Sequence, residues 1–185
     1  SEVERVVKEA EDLSRENNKR VKEVVRRAED TNRRVEDENR KLLKEIKDLL
    51  REVKETVKRI PKREAVKIAE KVLREVRELV KRSREIAKKV LEDNADLVRR
   101  VKESSEKVLK DVEDLVRELL DRKRDVERVR RLLEEVLRRV AEDVRRSEEE
   151  LDKVLRDSAE SLKRSDKSLR DIVREVEKVL DEIRK

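Results

Sequence analysis

The sequence predicts an all-α protein, an elongated antiparallel up-down-up three-helix bundle with nearly straight helices. Three observations lead to that class. Apolar residues recur every 18 positions, which is five turns of α-helix at about 3.6 residues per turn. Two interruptions divide the 185 residues into near-equal thirds. The apolar residues are Val, Leu, Ile and Ala only, laid out as one stripe per third.

The repeat is clearest in the middle third, where Leu73, Leu91 and Leu109 fall 18 apart, as do Leu79, Leu97 and Leu115, and Val80, Val98 and Val116. The first third repeats through Val6, Val24, Leu42 and Ile60, and the last through Leu133, Leu151 and Leu169. At roughly 100° per residue the middle stripe spans about 140°, wide enough to meet two neighbouring helices. A seven-residue repeat would impose left-handed supercoiling, whereas a period near 3.6 leaves helices almost straight.

The only proline, Pro61, would break a helix interior but suits the first position of a new helix, which predicts a turn at residues 59–62. A second turn is predicted at the charged run Asp121 to Asp125, with Asp125 capping a helix that begins at Val126. Ser1 and Glu4 have capping-box spacing. The expected helices are therefore 2–59, 62–121 and 125–184 within a single domain, 1–185, each about 90 Å long at ~1.5 Å per residue. Connections this short force antiparallel neighbours. Ser147-Glu148-Glu149-Glu150 also resembles a capping box, but Val144, Leu151 and Val154 carry the stripe through it in phase, so the helix is expected to continue. The same argument carries a helix through Asp93-Asn94.

Composition removes most functional classes. Lys and Arg number 55 and Asp and Glu 49, so 56% of the chain is charged, about twice the globular norm of roughly 25%. That balance by itself would suggest disorder, and only the order of the residues argues otherwise. With no Cys and no His, thiolate chemistry, disulfides and the commonest general base and metal ligand are all missing. With no Gly, phosphate-cradling loops cannot form. No catalytic, cofactor-binding or metal-ligating residue can be assigned, no cofactor is expected, and the chain reads as a non-enzyme.

The net charge of +6 is spread evenly, with no basic tail and no aromatic residue, so no nucleic-acid partner is expected. Basic doublets are answered by acids one turn earlier: Glu23 before Arg27, Glu134 before Arg138, Glu135 before Arg139, and Glu103 before Lys107. No apolar run approaches the ~18 residues of a membrane span, and no targeting signal opens the chain. It reads as soluble and unprocessed, with its location unassigned.

The uncharged polar residues are the most informative. Apart from Ser1, every Asn, Ser and Thr falls on or beside the apolar stripe, and the outer faces are almost wholly charged. Folding the chain back at about residue 61 sets Asn17 opposite Ser105, Asn18 opposite Ser104, and Asn39 opposite Ser83. A second fold-back near residue 122.5 brings position 83 close to Ser161 and within a turn of Ser158. Asn32 lies about a turn from the level of Asn94. A buried unpaired amide costs about 1–3 kcal/mol, so these residues are expected to form interhelical hydrogen-bond networks that favour one register. Ser158, Ser161, Ser165 and Ser168 share one side of the third stripe. Their hydroxyls can bond back to the carbonyl four residues earlier, or Ser165 and Ser168 can form a polar seam for a partner helix or a second copy of the chain.

The 18-residue repeat, the Val/Leu/Ile/Ala core, the charged surface and the confinement of Asn and Ser to the core resemble those of de novo designed helical bundles with buried hydrogen-bond networks. The resemblance spans the whole chain. It implies a designed structural scaffold without natural biochemical activity, or, as the alternative, a designed interaction module that self-associates or accepts a helical partner. The missing turn glycines depart from that family's usual connections.

Overall fold

The computed structural model describes residues 1–122 and 126–185. Three helices account for nearly all of them: α1, Glu2–Val57, α2, Lys62–Arg122, and α3, Glu127–Arg184. They form an all-α three-helix bundle in which α2 runs antiparallel to α1 and α3. Both α2 through Asp93-Asn94 and α3 through Ser147 to Glu150 are uninterrupted.

The helix starts show how the ends are set. The Ser1 hydroxyl accepts from the Glu4 amide at 3.3 Å, and the chain's amino group lies 3.8 Å from the Glu4 carboxylate. The hydroxyl half of a capping box is thus formed as a hydrogen bond, and the carboxylate half only as an ion pair. The Pro61 carbonyl accepts from the Ala65 amide at 3.0 Å, which makes Pro61 the residue before the first helical position rather than the first itself. The first helix ends at Val57, two residues short of expectation. The residue preceding a proline is driven out of the helical region, so Ile60 cannot continue α1, and the Arg59 amide closes the turn on the Thr56 carbonyl at 3.0 Å.

The third helix starts at Glu127, because the Val126 carbonyl takes the first bond from Arg130 at 3.1 Å. Val126 therefore holds the cap position itself. The capping role expected of Asp125 lies outside the described residues.

The contacts divide the chain into two compact units, one of residues 1–29 and 93–156 and the other of residues 30–92 and 157–185. The first unit has two apolar clusters. One gathers Val6 and Ala10 with Val112, Val116 and Leu119 and with Leu133, Val136 and Val140. The other gathers Val21, Val24, Val25 and Ala28 around Val98, Leu151 and Val154. The second unit has one large cluster, in which Ile46, Leu50 and Val53 meet Leu73, Val76 and Val80 and also Leu169, Ile172 and Val176. Every cluster takes side chains from all three helices, as stripes of that width require.

Candidate functional site: the interhelical polar layers

In the first unit a polar layer lies at the level between the two apolar clusters. The Ser105 hydroxyl donates to Asn17 Oδ1 at 3.0 Å, and both residues are almost fully buried. At the next residue Ser147 donates to Asn18 Oδ1 at 3.3 Å, and about one turn away Ser14 donates to Asp143 Oδ2 at 3.0 Å. In the second unit Asn39 joins all three helices: Ser83 on α2 donates to its Oδ1, and its own Nδ2 donates to Ser165 Oγ on α3 at 2.6 Å. A single buried amide there uses both its accepting and its donating end, the arrangement in which a polar core group carries least penalty.

Several placements differ from those expected. The partner of Asn18 is Ser147 on α3, not Ser104, which is half-buried with no side-chain hydrogen bond among the described residues. The third member of the Asn39 layer is Ser165, not Ser161 or Ser158. An error in the second fold-back point explains the Ser165 difference. The Asn39 layer sets Ser83 level with Ser165, which places the mirror there at residue 124 rather than near 122.5. Each residue of error in a fold-back point moves the facing position by two, so the level on α3 shifts by about one helical turn.

Ser165, half-buried, accepts from Asn39 within the bundle. Ser168 is exposed and bonds back to the Arg164 carbonyl at 3.2 Å. Ser158 is buried, and Ser161 is half-buried along a cavity of about 300 Å³ beside Asn39 and Ser165. Asn32 donates to Glu36 of its own helix at 3.2 Å, leaving its buried Oδ1 without a hydrogen-bond partner among the described residues. Asn94 is buried in the first unit, with Nδ2 likewise unpartnered.

Ser14, Ser147 and Asp143 are the layer members that sequence reasoning missed. The signal for them lies between the first and third helices, which run parallel and in the first unit face each other at one sequence offset. Ser14 meets Asp143 and Asn18 meets Ser147 at the same separation of 129 residues. Reflections alone, which suit antiparallel pairs, never compare these helices.

The surface is ionic and solvated. Glu135 pairs with Arg139 at 2.9 Å as the spacing suggests, but Glu134 takes Arg130 at 3.1 Å instead of Arg138. Pairs this exposed contribute little each. One carboxyl departs from ordinary behaviour. Glu148 is held above the usual carboxylate range, chiefly by burial, then by the Glu106 and Asp152 charges, with Lys102 opposing. The folded state therefore binds this proton more tightly than the unfolded chain does. Its contribution is most favourable below the unfolded value and is lost as pH rises through the folded one. Glu148→Gln should accordingly raise the melting temperature at pH 7 by a few degrees at most, with the difference closing below about pH 4. Paired thermal melts across that range measure it.

Among the described residues no helix is long and apolar enough to cross a membrane, and no group of three or more acidic side chains is placed to hold a metal ion.

The fold and its layers define the class, a three-helix bundle with hydrogen-bonded polar layers set among aliphatic clusters. No protein-family model and no curated protein matches the chain. A solved structure titled "Computationally designed three helix bundle" is similar, with a TM-score of 0.65 and 13% identity, covering 98% of this chain and 90% of that one.

Proposed function

We propose that the chain is a designed structural scaffold with no natural biochemical activity, in which the core Asn and Ser residues specify how the helices pair. The observation that carries this reading is the Asn39 layer, where one amide takes a hydroxyl from each of the other two helices. Sliding any helix by a turn breaks at least one of these bonds and strands a buried polar atom, which costs about 1–3 kcal/mol. A purely aliphatic core imposes no such penalty. The segregation of uncharged polar residues to the core and the similarity to a designed bundle support the same reading.

The test replaces the layers by aliphatic residues: Asn17→Leu with Ser105→Ala, and Asn39→Leu with Ser83→Ala and Ser165→Ala. The parent should run as one species at the 22.2 kDa chain mass in light scattering, while the aliphatic variant should populate additional, higher-mass species at equal helicity. A variant as monodisperse as its parent would show that the layers do not govern pairing.

A further inference from the structure

In the unit of residues 30–92 and 157–185, α2 and α3 enclose a groove of about 760 Å³, within the 300–1,000 Å³ typical of small-molecule sites. Its floor is apolar. Val80 and Leu162 are buried beneath it, and Ala87 and Ala159 are too small to fill the space above them. Its walls are cationic, with seven basic side chains against three acidic ones.

The local pairing leaves much of that positive charge uncompensated. Glu177 is taken by Arg77 at 3.0 Å. Asp166 serves two guanidiniums at once, Arg84 on α2 and Arg170 on α3, the latter at 3.1 Å. Lys81, Lys88 and Lys163 also line the groove and make no ion pair among the described residues. Two guanidiniums on a single carboxylate retain unused N–H donors that a second carboxylate could take.

We propose that this groove is a binding site for a straight-chain anionic amphiphile, a medium-chain carboxylate. Its head sits between Lys88 and Lys163, and its tail runs from there along Leu162 and Val80 toward Val173. A compact anion such as inorganic phosphate gains nothing from the apolar floor, and a neutral or cationic amphiphile gains nothing from the walls. The lining runs from Arg77 to Leu91 on α2, about 20 Å at 1.5 Å per residue, which accommodates an extended alkyl chain. This assignment is independent of the polar layers and of the scaffold reading.

Titration of the full chain with dodecanoate by isothermal calorimetry, at low ionic strength and below micelle-forming concentrations, tests it. The expected result is one saturable site per chain. Decanoate should bind about tenfold more weakly for the loss of two buried methylenes, and dodecyltrimethylammonium at least tenfold more weakly. The double variant Lys88→Glu/Lys163→Glu should weaken dodecanoate at least tenfold with its circular dichroism unchanged. Ala159→Leu, which fills the groove without altering charge, should weaken it similarly and serves if the double variant fails to fold. Equal binding of the two oppositely charged amphiphiles, phosphate binding as tight as dodecanoate, unchanged affinity in both variants, or no saturable site at submillimolar dodecanoate would overturn the proposal.

Discussion

Leu151→Ala should lower the unfolding free energy by about 4–5 kcal/mol, the upper end of the 2–5 range for such truncations. Leu151 is fully buried, and every other buried member of its cluster is Val or Ala: Val21, Val24, Val25, Ala28, Val98 and Val154, with Leu97 and Leu155 packed against it only as half-buried side chains. The cost of a truncation depends on how far the surroundings collapse into the hole. A β-branched valine on a helix has essentially one χ1 rotamer, so these neighbours cannot swing inward, and the long helices that carry them cannot bend locally without losing their own hydrogen bonds. Urea unfolding followed at 222 nm measures the change, with an unaltered m-value showing that the same surface is exposed. Leu50→Ala provides the contrast. It lies in the larger cluster among Leu73, Leu169 and Ile172, where unbranched-β leucines can re-seat, and should cost less. Equal losses at both sites would mean that the rigidity of the valine shell does not decide the outcome.

The contrast between these clusters also shows what sequence could and could not reveal. Helix identity followed from the 18-residue period, because a single stripe at that period has only one secondary structure that keeps it on one face. Lateral partners followed where a sharp turn fixed the arithmetic. The Pro61 turn is punctuated by one residue with known backbone demands, and reflection through it places Asn17 opposite Ser105 and Asn39 opposite Ser83, the pairs that are hydrogen-bonded. No such residue marks the second connection. A run of five charged residues is compatible with several turn centres, and a small error there moved the facing residue from Ser165 to Ser161. Capping was legible at Ser1, whose side chain carries the acceptor. It was not legible at Val126, which caps with its backbone alone. The apolar-floored groove was illegible for another reason: nothing in the sequence marks Ala87 and Ala159 as leaving space, and only the packing of α2 against α3 brings both to the lining of one groove.

The second large effect concerns the asparagines, which the sequence treats alike and the structure separates. Asn94→Leu should stabilise the protein by about 1–3 kcal/mol. Its side chain is 2% exposed, and its Nδ2 has no hydrogen-bond partner among the described residues, so the folded state carries a desolvated donor that the unfolded chain hydrates. Removing that donor recovers the penalty, and the aliphatic replacement adds buried apolar surface. Because leucine is larger than asparagine, overcrowding could consume part of the gain, and Asn94→Val is the smaller control. Asn39→Leu should have the opposite sign. Two bonds are lost, from Ser83 and to Ser165, and both hydroxyls are left to find the carbonyl four residues earlier, as Ser168 does. That fallback limits the loss to about 1 kcal/mol. A decrease in stability for both Asn94 variants would place a hydrogen-bond acceptor at Nδ2 and remove the distinction. An increase for Asn39→Leu would mean that its two bonds do not offset the burial of its amide. Opposite signs, measured under one set of denaturant conditions, are what a core with one satisfied and one unsatisfied amide requires.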